Sequence, residues 1–256
     1  MPSTSFDPAT DGFAFVNSFG LTPDERAGLT AGLATAIDGA LLSLGPIGLA
    51  ARLTGVKTKL AQLLISAVPD HYGLCGGMAF AALDYFRAGA ALPRGDGPND
   101  QPPPGSPLRL HLWRRLIESW VANGATFIEW KARLDYLPRR WPFDAGPQAL
   151  CDRSKAAWRT VRQSVDAGQP VPLGLVGALS DPFLDHQVLA IGYEPGSDVA
   201  GTIDTYDMNC PGTTQTIAFD LSSGTLQATE SCSRDGNPLR GFFCERYAAA
   251  AASLDA

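Results

Sequence analysis

Apolar positions recur at helical spacing through much of the first 167 residues of the chain. Leu112, Leu116 and Trp120, for example, fall on one stripe and predict an amphipathic helix. Residues 27–68 predict two helices, which are broken at Gly45-Pro46. The other segments predicted as helices are 75–86, 108–121, 125–136 and 147–167.

After Gly168-Gln-Pro170 the helical spacing gives way to the two-residue alternation that is typical of strands. The segments predicted as strands are 171–177, 186–193, 202–208, 214–220, 225–231 and 240–246. Helices in the first part and strands in the second predict a fold of the α+β class.

The chain predicts one domain over residues 1–256, because 45% hydrophobic content at this length is enough for one large core. Within it, residues 21–70 predict an inserted helical hairpin that packs on the core. Both hairpin helices carry charged residues, so neither offers a long uncharged apolar span. A lid over a cleft, or a membrane-surface patch, is the alternative role. Residues 92–107 are rich in Pro and Gly and predict a loop.

The most informative chemical feature is Cys75, which immediately precedes the apolar run of a predicted buried helix. The free amides and the dipole at a helix N-terminus favour a thiolate, so a cysteine in this position is suited to act as a nucleophile. The alternative is that Cys75 is a packing residue between glycines.

A nucleophilic thiol needs a base, and the base needs a third group that fixes its tautomer. His186 begins one predicted strand and Asp207 lies near the end of the next. Antiparallel neighbours meet end to start, so the two side chains can converge at one edge of a sheet. Asn209 has the same facing parity as Asp207 and is the rival third group, whereas Asp204 should face the opposite side.

This pattern resembles the papain-like cysteine peptidase fold. It is similar in particular to the double-glycine leader peptidases attached to bacteriocin exporters. The strings GLCGGMAFAALDYF, HQVLAIGY and YDMNCPG, with RGFF near the end, also resemble a group of bacterial proteins that carry GLCGGM, HQVLAYGY and YDPNxPG. The resemblance covers most of residues 71–247 and implies Cys75 as nucleophile, His186 as base and Asp207 as orienter. Met208 departs from it, because those relatives have proline there.

An acyl-transfer site also needs hydrogen-bond donors for the oxyanion. The Cys75 backbone amide is one natural donor, and Asn17 is the one side-chain amide in the segment 12–19 upstream. Asn17 is equally suited to cap or turn a short strand. Gly76 and His71 are candidates for the pocket or its rim. The amide of Gln187 should point away from the His186 face, because alternate residues of a strand face opposite sides.

Charge and metal-ligand spacing limit the remaining functions. The formal net charge is −6 and no Lys/Arg block is present, which argues against nucleic acid or an anionic membrane as a general partner. The three histidines, at 71, 111 and 186, form no zinc-type cluster with the cysteines. No metal, no cofactor and no stable membrane insertion are therefore expected.

Five cysteines are an odd number, so at least one is free, and Cys75 is the choice. Cys232 and Cys244 flank a loop and form the candidate disulfide if the protein is exported, whereas Cys151 and Cys210 have no spacing partner. The N-terminus lacks the basic-then-apolar pattern of a signal peptide, so we expect a cytoplasmic protein or one exported without such a peptide.

The sequence therefore predicts a cysteine-dependent hydrolase or acyltransferase of papain-like architecture. In that architecture the nucleophile helix of a helical N-terminal half packs on a C-terminal antiparallel sheet. The expected partner is a peptide, amide or acyl substrate, which would pass through a thioester intermediate. The alternative function is a non-catalytic protein that keeps this fold and binds a peptide or small ligand in the cleft. The sequence does not indicate an oligomeric state.

Overall fold

The computed structural model of the chain describes residues 1–43, 71–135, 146–178, 184–232 and 237–254. Over these residues the α+β class is confirmed, with helices in the N-terminal part followed by a curled six-stranded antiparallel sheet. The predicted helix over 47–68 lies outside the described residues. None of the described helices combines the length and apolar character that a membrane span needs.

The helices of the described residues are α1 (Pro8–Asp11), α2 (Pro23–Ser43), α3 (Cys75–Ala88), α4 (Pro107–Asp135) and α5 (Gly146–Asp166). The segments predicted as helical over 108–121 and 125–136 form one helix, because α4 runs through residues 122–124 without interruption. Gly124 continues the helix where α2 approaches closely: an added Cβ would lie 2.7 Å from the Cβ of Ala36. Asn123 is held by the chain end, since its amide donates to and accepts from the Arg246 backbone.

Helix α2 coincides with the first helix predicted within 21–70 and packs along α4. A reciprocal capping box begins it: the Thr22 amide donates to Glu25, and the Glu25 amide donates to the Thr22 hydroxyl. The Glu25 carboxylate also accepts from the buried Arg109 of α4 at 2.7 Å. Close packing follows along the helix, where Gly28 faces the Trp113 indole. Capping and ion pairing thus fix α2 against α4.

The large sheet has the strand order β7-β6-β5-β4-β3-β8, and every neighbouring pair is antiparallel. Its strands are β3 (Val171–Gly177), β4 (His186–Glu194), β5 (Ala200–Tyr206), β6 (Thr214–Asp220), β7 (Gln227–Glu230) and β8 (Leu239–Cys244). The six predicted strands are therefore present, with ends that differ by two residues at most. A two-stranded sheet of β1 (Phe19–Gly20) and β2 (His71–Tyr72), which the pattern did not predict, precedes α3.

The central strand β4 is buried on both faces. Leu189 and Ile191 pack in one cluster with residues of α3 such as Met78, whereas Val188 and Ala190 pack in a second cluster with α5. A strand covered on both sides needs apolar residues in nearly every position, which explains the continuous apolar run after His186. The first residues of β4 consequently lie beneath the N-terminal end of α3.

The predicted Cys232–Cys244 disulfide is wrong, because the structure joins Cys232 to Cys210 and leaves Cys244 free. Strands β6 and β7 are antiparallel neighbours, so the end of β7 lies beside the start of β6 and the turn before it. Cys232 follows β7 and Cys210 lies in that turn. Cys244 ends β8, which pairs with β3, and its thiol faces the Ala157 carbonyl of the helix Gly146–Asp166 at 3.6 Å.

Candidate active site

Cys75 is the first residue of α3, as the sequence predicts, and it is buried. Helix α3 is held closely by its neighbours at this end. A Cβ added to Gly77 would lie 2.1 Å from the carbonyl oxygen of Leu112 in α4. A Cβ added to Gly76 would lie 2.0 Å from Gln187 Oε1 and 2.3 Å from Ser119 Oγ. The two glycines thus let α4 and β4 reach the start of the nucleophile helix.

His186 and Asp207 form a buried pair, with 2.8 Å between Nε2 of the imidazole and Oδ1 of the carboxylate. The register of β4 and β5 pairs Leu189 with Tyr206, which places the residue after β5 near the start of β4. The carboxylate is held in turn, since Oδ1 accepts from the Asn209 backbone amide at 2.8 Å. The antiparallel geometry anticipated from the sequence therefore brings this histidine and this aspartate together.

Electrostatics at this pair favour a protonated imidazole. Burial lowers the pKa of His186, but the charge and hydrogen bond of Asp207 oppose it, as do a hydrogen bond and charge interaction with Cys75. Together these interactions raise the pKa of His186 to about 10. With Nε2 directed at Asp207, Nδ1 is the ring nitrogen that remains for the sulfur. The imidazole can therefore accept a proton from the thiol and hold it.

Asn209 and Asn17 lie on the Asp207 side of the imidazole. Asn209 Nδ2 is 3.3 Å from His186 Nε2, longer than the contact that Asp207 makes to the same nitrogen. Asn17 Nδ2 donates to Asn209 Oδ1 at 3.1 Å. An added Cβ on Gly73 would lie 2.5 Å from Asn17 Nδ2, so Asn17 packs beneath the segment that leads to Cys75. Its contacts make Asn17 a support for the turn that carries Asp207.

Two other predicted features have simple placements. His71 is exposed on β2, opposite Gly20 of β1. Its neighbour Tyr72, not His71, lines the pocket beside Cys75. Met208 is fully buried, and its carbonyl oxygen accepts from the Asn17 backbone amide at 3.1 Å. A buried apolar side chain and this backbone bond hold the turn without proline.

Gln187 is a pocket residue that the sequence analysis set aside, because strand alternation turns its side chain away from the His186 face. As strand alternation predicts, the Gln187 side chain lies on the face of β4 opposite to the regular position of His186. That opposite face is the one that α3 covers. Gln187 Oε1 lies 3.8 Å from Cys75 Sγ. Its Nε2 donates to Glu245 Oε1 at 2.5 Å and to Ser119 Oγ at 3.4 Å. All three partners are buried, so a network of polar side chains lies behind the sulfur.

The pocket at Cys75 is narrow, with about 20 Å³ of space for water-sized molecules. Its wall is mainly aromatic, and it is closed on one side by Trp120 and Phe127 of α4 and on another by Tyr72. The polar groups at its base include Gln187 and Ser119.

Metal coordination receives no support from the described ranges, where no three His, Cys, Asp or Glu side chains are grouped as ligands. The site contains one thiol, one imidazole and the buried carboxylates of Asp207 and Glu245. A third carboxylate, that of Asp185, lines the pocket and pairs with Lys131 at 3.0 Å. Such a set can move protons and form a bond to sulfur. No protein-family model matches this chain, and neither the curated proteins nor the solved structures compared with it include a match.

Proposed function

We propose that this protein is a cysteine hydrolase or acyltransferase of papain-like architecture, with Cys75 as nucleophile, His186 as base and Asp207 as orienter. The observation that carries the proposal is a buried thiol at a helix N-terminus beside a histidine that a buried aspartate holds at 2.8 Å. The strings around the three residues resemble those of papain-like peptidases, which supports the same roles.

The reaction follows from these positions. The S–H bond of Cys75 breaks as its proton moves to His186 Nδ1, and the thiolate attacks the carbonyl carbon of an amide or ester. Asp207 accepts a hydrogen bond from Nε2–H and stabilises the imidazolium. When the tetrahedral adduct collapses, the leaving amine takes the proton from His186 and a thioester remains on Cys75. Water or a second amine then attacks the thioester and frees the thiol.

The first backbone amides of α3 supply donors for the oxyanion. An α-helix leaves its first four N–H groups without partners in the helix, and those of Cys75 and Gly76 are among them. Donors fixed in a site that excludes water stabilise an oxyanion more strongly than the same groups in solution. Gly76, which the sequence suggested as a pocket residue, would therefore act through its backbone amide as an oxyanion donor.

The burial of Cys75 favours a second candidate function, in which the fold binds a peptide or small ligand and performs no chemistry. Only 6% of Cys75 is exposed, and the pocket beside it is small. In such a protein the thiol would be a packing residue, and its reactivity would not depend on His186.

Alkylation of the three free cysteines separates the two functions. At neutral pH we expect iodoacetamide, followed by mass spectrometry, to modify Cys75 first, and a His186→Ala variant to lose that preference. Cys151 and Cys244 are internal controls, because burial raises the pKa of both thiols, that of Cys244 to about 12. Cys75→Ala should fold normally and show no turnover of acyl substrates. Equal labelling of Cys75 in wild type and His186→Ala would instead argue that the Cys75–His186 pair is not formed and would favour the binding function.

A further inference from the structure

Glu245 is a buried carboxyl group that the reaction above does not use. It follows β8 directly, and its Oε1 accepts from Gln187 Nε2 at 2.5 Å. Its Oε2 is buried and has no hydrogen-bond partner in the described part of the chain. An uncompensated charge is costly in such a place, so a carboxyl group here is expected to bind a proton readily.

The Gln187 amide lies between this carboxyl group and the sulfur. With Nε2 directed at Glu245, Oε1 faces Cys75 at 3.8 Å. The Ser119 hydroxyl lies 3.4 Å from both Oε1 and Nε2 of Gln187, and its closer acceptor is the Leu116 carbonyl at 2.9 Å, so a proton directed at Leu116 leaves the hydroxyl as an acceptor toward Gln187. The S–H of Cys75 is then the donor that remains for Gln187 Oε1 among these groups. This orientation suits a neutral thiol, because a carbonyl oxygen repels a thiolate.

We propose that Gln187 is a further catalytic residue and that Glu245 is a positioning residue, whose proton determines which end of the Gln187 amide faces Cys75. Ionised Glu245 can only accept a hydrogen bond, and it therefore fixes Nε2 on its own side. Protonated Glu245 donates to Oε1, and the amide turns half a revolution about its Cγ–Cδ bond. Nε2 then faces the sulfur and donates to the thiolate or to the oxyanion. This inference rests on the function proposed above.

The proton balance is simple. Glu245 takes one proton from water as the amide turns, and no covalent bond of Gln187 changes. The proton of Cys75 moves separately to His186 Nδ1. The active arrangement thus contains a thiolate, an imidazolium and a neutral carboxyl group. Burial raises the pKa of Glu245 to about 8, although Gln187 and the charge of His186 oppose the rise, so the neutral form is available at physiological pH.

The groups that face Glu245 show which residue should cause each step in the pH dependence of the site. His186 on β4 acts on it through charge, and Cys75 on α3 lies across the Gln187 amide. Cys244 precedes it on β8, and α4 presents the uncharged Ser119 hydroxyl. A protonation step close to pH 8 should therefore come from Glu245, whereas the loss of the imidazolium should follow near pH 10.

The test is the pH dependence of Cys75 alkylation by iodoacetamide, which needs no substrate. In wild type we expect the rate to fall by roughly tenfold or more as Glu245 ionises, because a hydrogen bond to the thiolate is replaced by a repulsive oxygen. Glu245→Gln should remove this decrease. Glu194→Gln is the matched control, because it removes the same charge from the exposed far end of β4 and should keep the decrease.

Gln187→Leu is the second variant, which covers the case in which Glu245→Gln does not fold. It should also lack the decrease near pH 8, since no amide remains to turn. A decrease that persists in either folded variant would overturn the inference while leaving the proposed function intact. Equal Cys75 labelling in wild type and His186→Ala would instead overturn the proposed function itself.

Discussion

At the scale of single residues, two side chains compete for the role of orienter at the same imidazole nitrogen. Asp207 Oδ1 lies 2.8 Å from His186 Nε2, and Asn209 Nδ2 lies 3.3 Å from it. The carboxylate accepts the Nε2–H that an imidazolium carries, whereas Asn209 presents the donor Nδ2 to the ring because its Oδ1 accepts from Asn17, so the shorter contact is also the chemically suitable one. The asparagine contributes mainly by holding the turn through its backbone amide.

Asp207→Asn should therefore lower the pKa of His186, because the charge and hydrogen bond that raise it are weakened. We expect turnover to fall strongly, but less completely than in His186→Ala, whereas Asn209→Ala should fall much less. The pKa of His186 can be followed by NMR of the imidazole in Cys75→Ala backgrounds of each variant. A larger decrease in Asn209→Ala than in Asp207→Asn would make Asn209 the orienter.

The sequence predicted those site residues that can be recognised from their residue type and their position in a local pattern. Cys75 has an apolar run after it, and His186 and Asp207 sit at strand ends, so a motif and an alternation rule suffice. Gln187 could not be placed this way, because alternation says only that it faces away from its neighbour. Which element covers that face depends on long-range packing. The same is true of Glu245, which reaches Gln187 only because β8 returns beside β3.

At the scale of elements, the contact between α3 and α4 positions Cys75, the proposed nucleophile. Gly77 lies so close to α4 that the carbonyl oxygen of Leu112 occupies the space of a β-carbon. A backbone atom inside a helix cannot move aside without shifting the helix. The close approach also brings Ser119 and Trp120 of α4 to the pocket beside Cys75.

Gly77→Ala should consequently destabilise the protein by about 1–3 kcal/mol, the usual range for overpacking a tight contact. Gly97→Ala is the matched control, because a Cβ added at Gly97 would have no atom within 4 Å and should leave stability nearly unchanged. Urea denaturation followed by circular dichroism measures both. If Gly77→Ala were as stable as Gly97→Ala, the two helices would not be in rigid contact there.

The limits of element prediction have a similar origin. The sequence pattern located all six strands of the large sheet, including the edge strand β7, which alternates between exposed and partly buried positions. The segments predicted on either side of Gly124 are one helix, in which this glycine allows the close approach of Ala36. The strands β1 and β2 are two residues each, too short to carry a pattern. Short elements and close contacts are thus decided by tertiary structure.

At the scale of the whole molecule, the site lies between two layers that come from distant parts of the chain. The helical layer supplies Cys75, and the sheet supplies His186, Asp207 and Glu245. Several ionisable groups are therefore buried when the layers meet, and folding must change their protonation. The stability of the protein should report this burial as a function of pH.

Glu245 gives the clearest case, because burial raises its pKa from 4.5 to about 8. The protonated Glu245 side chain contributes fully to stability at pH values below its pKa in the unfolded chain. This contribution is lost as the pH rises through its pKa in the folded protein, so the free energy of unfolding should decline between these two pKa values. The decline should be about 1.4 kcal/mol per pH unit where only the folded state keeps the proton. His186, with its pKa raised to about 10, changes stability in the same direction at higher pH.

The measurement is the free energy of unfolding at several pH values for wild type and Glu245→Gln. Their difference isolates the carboxyl group, because the charges of the other residues are common to both proteins. We expect wild type to lose stability relative to Glu245→Gln between about pH 4.5 and 8 and the difference to level off above that. A difference that stays constant over this range would mean that Glu245 is ionised in the folded protein throughout, with its charge balanced by His186 across the joined layers.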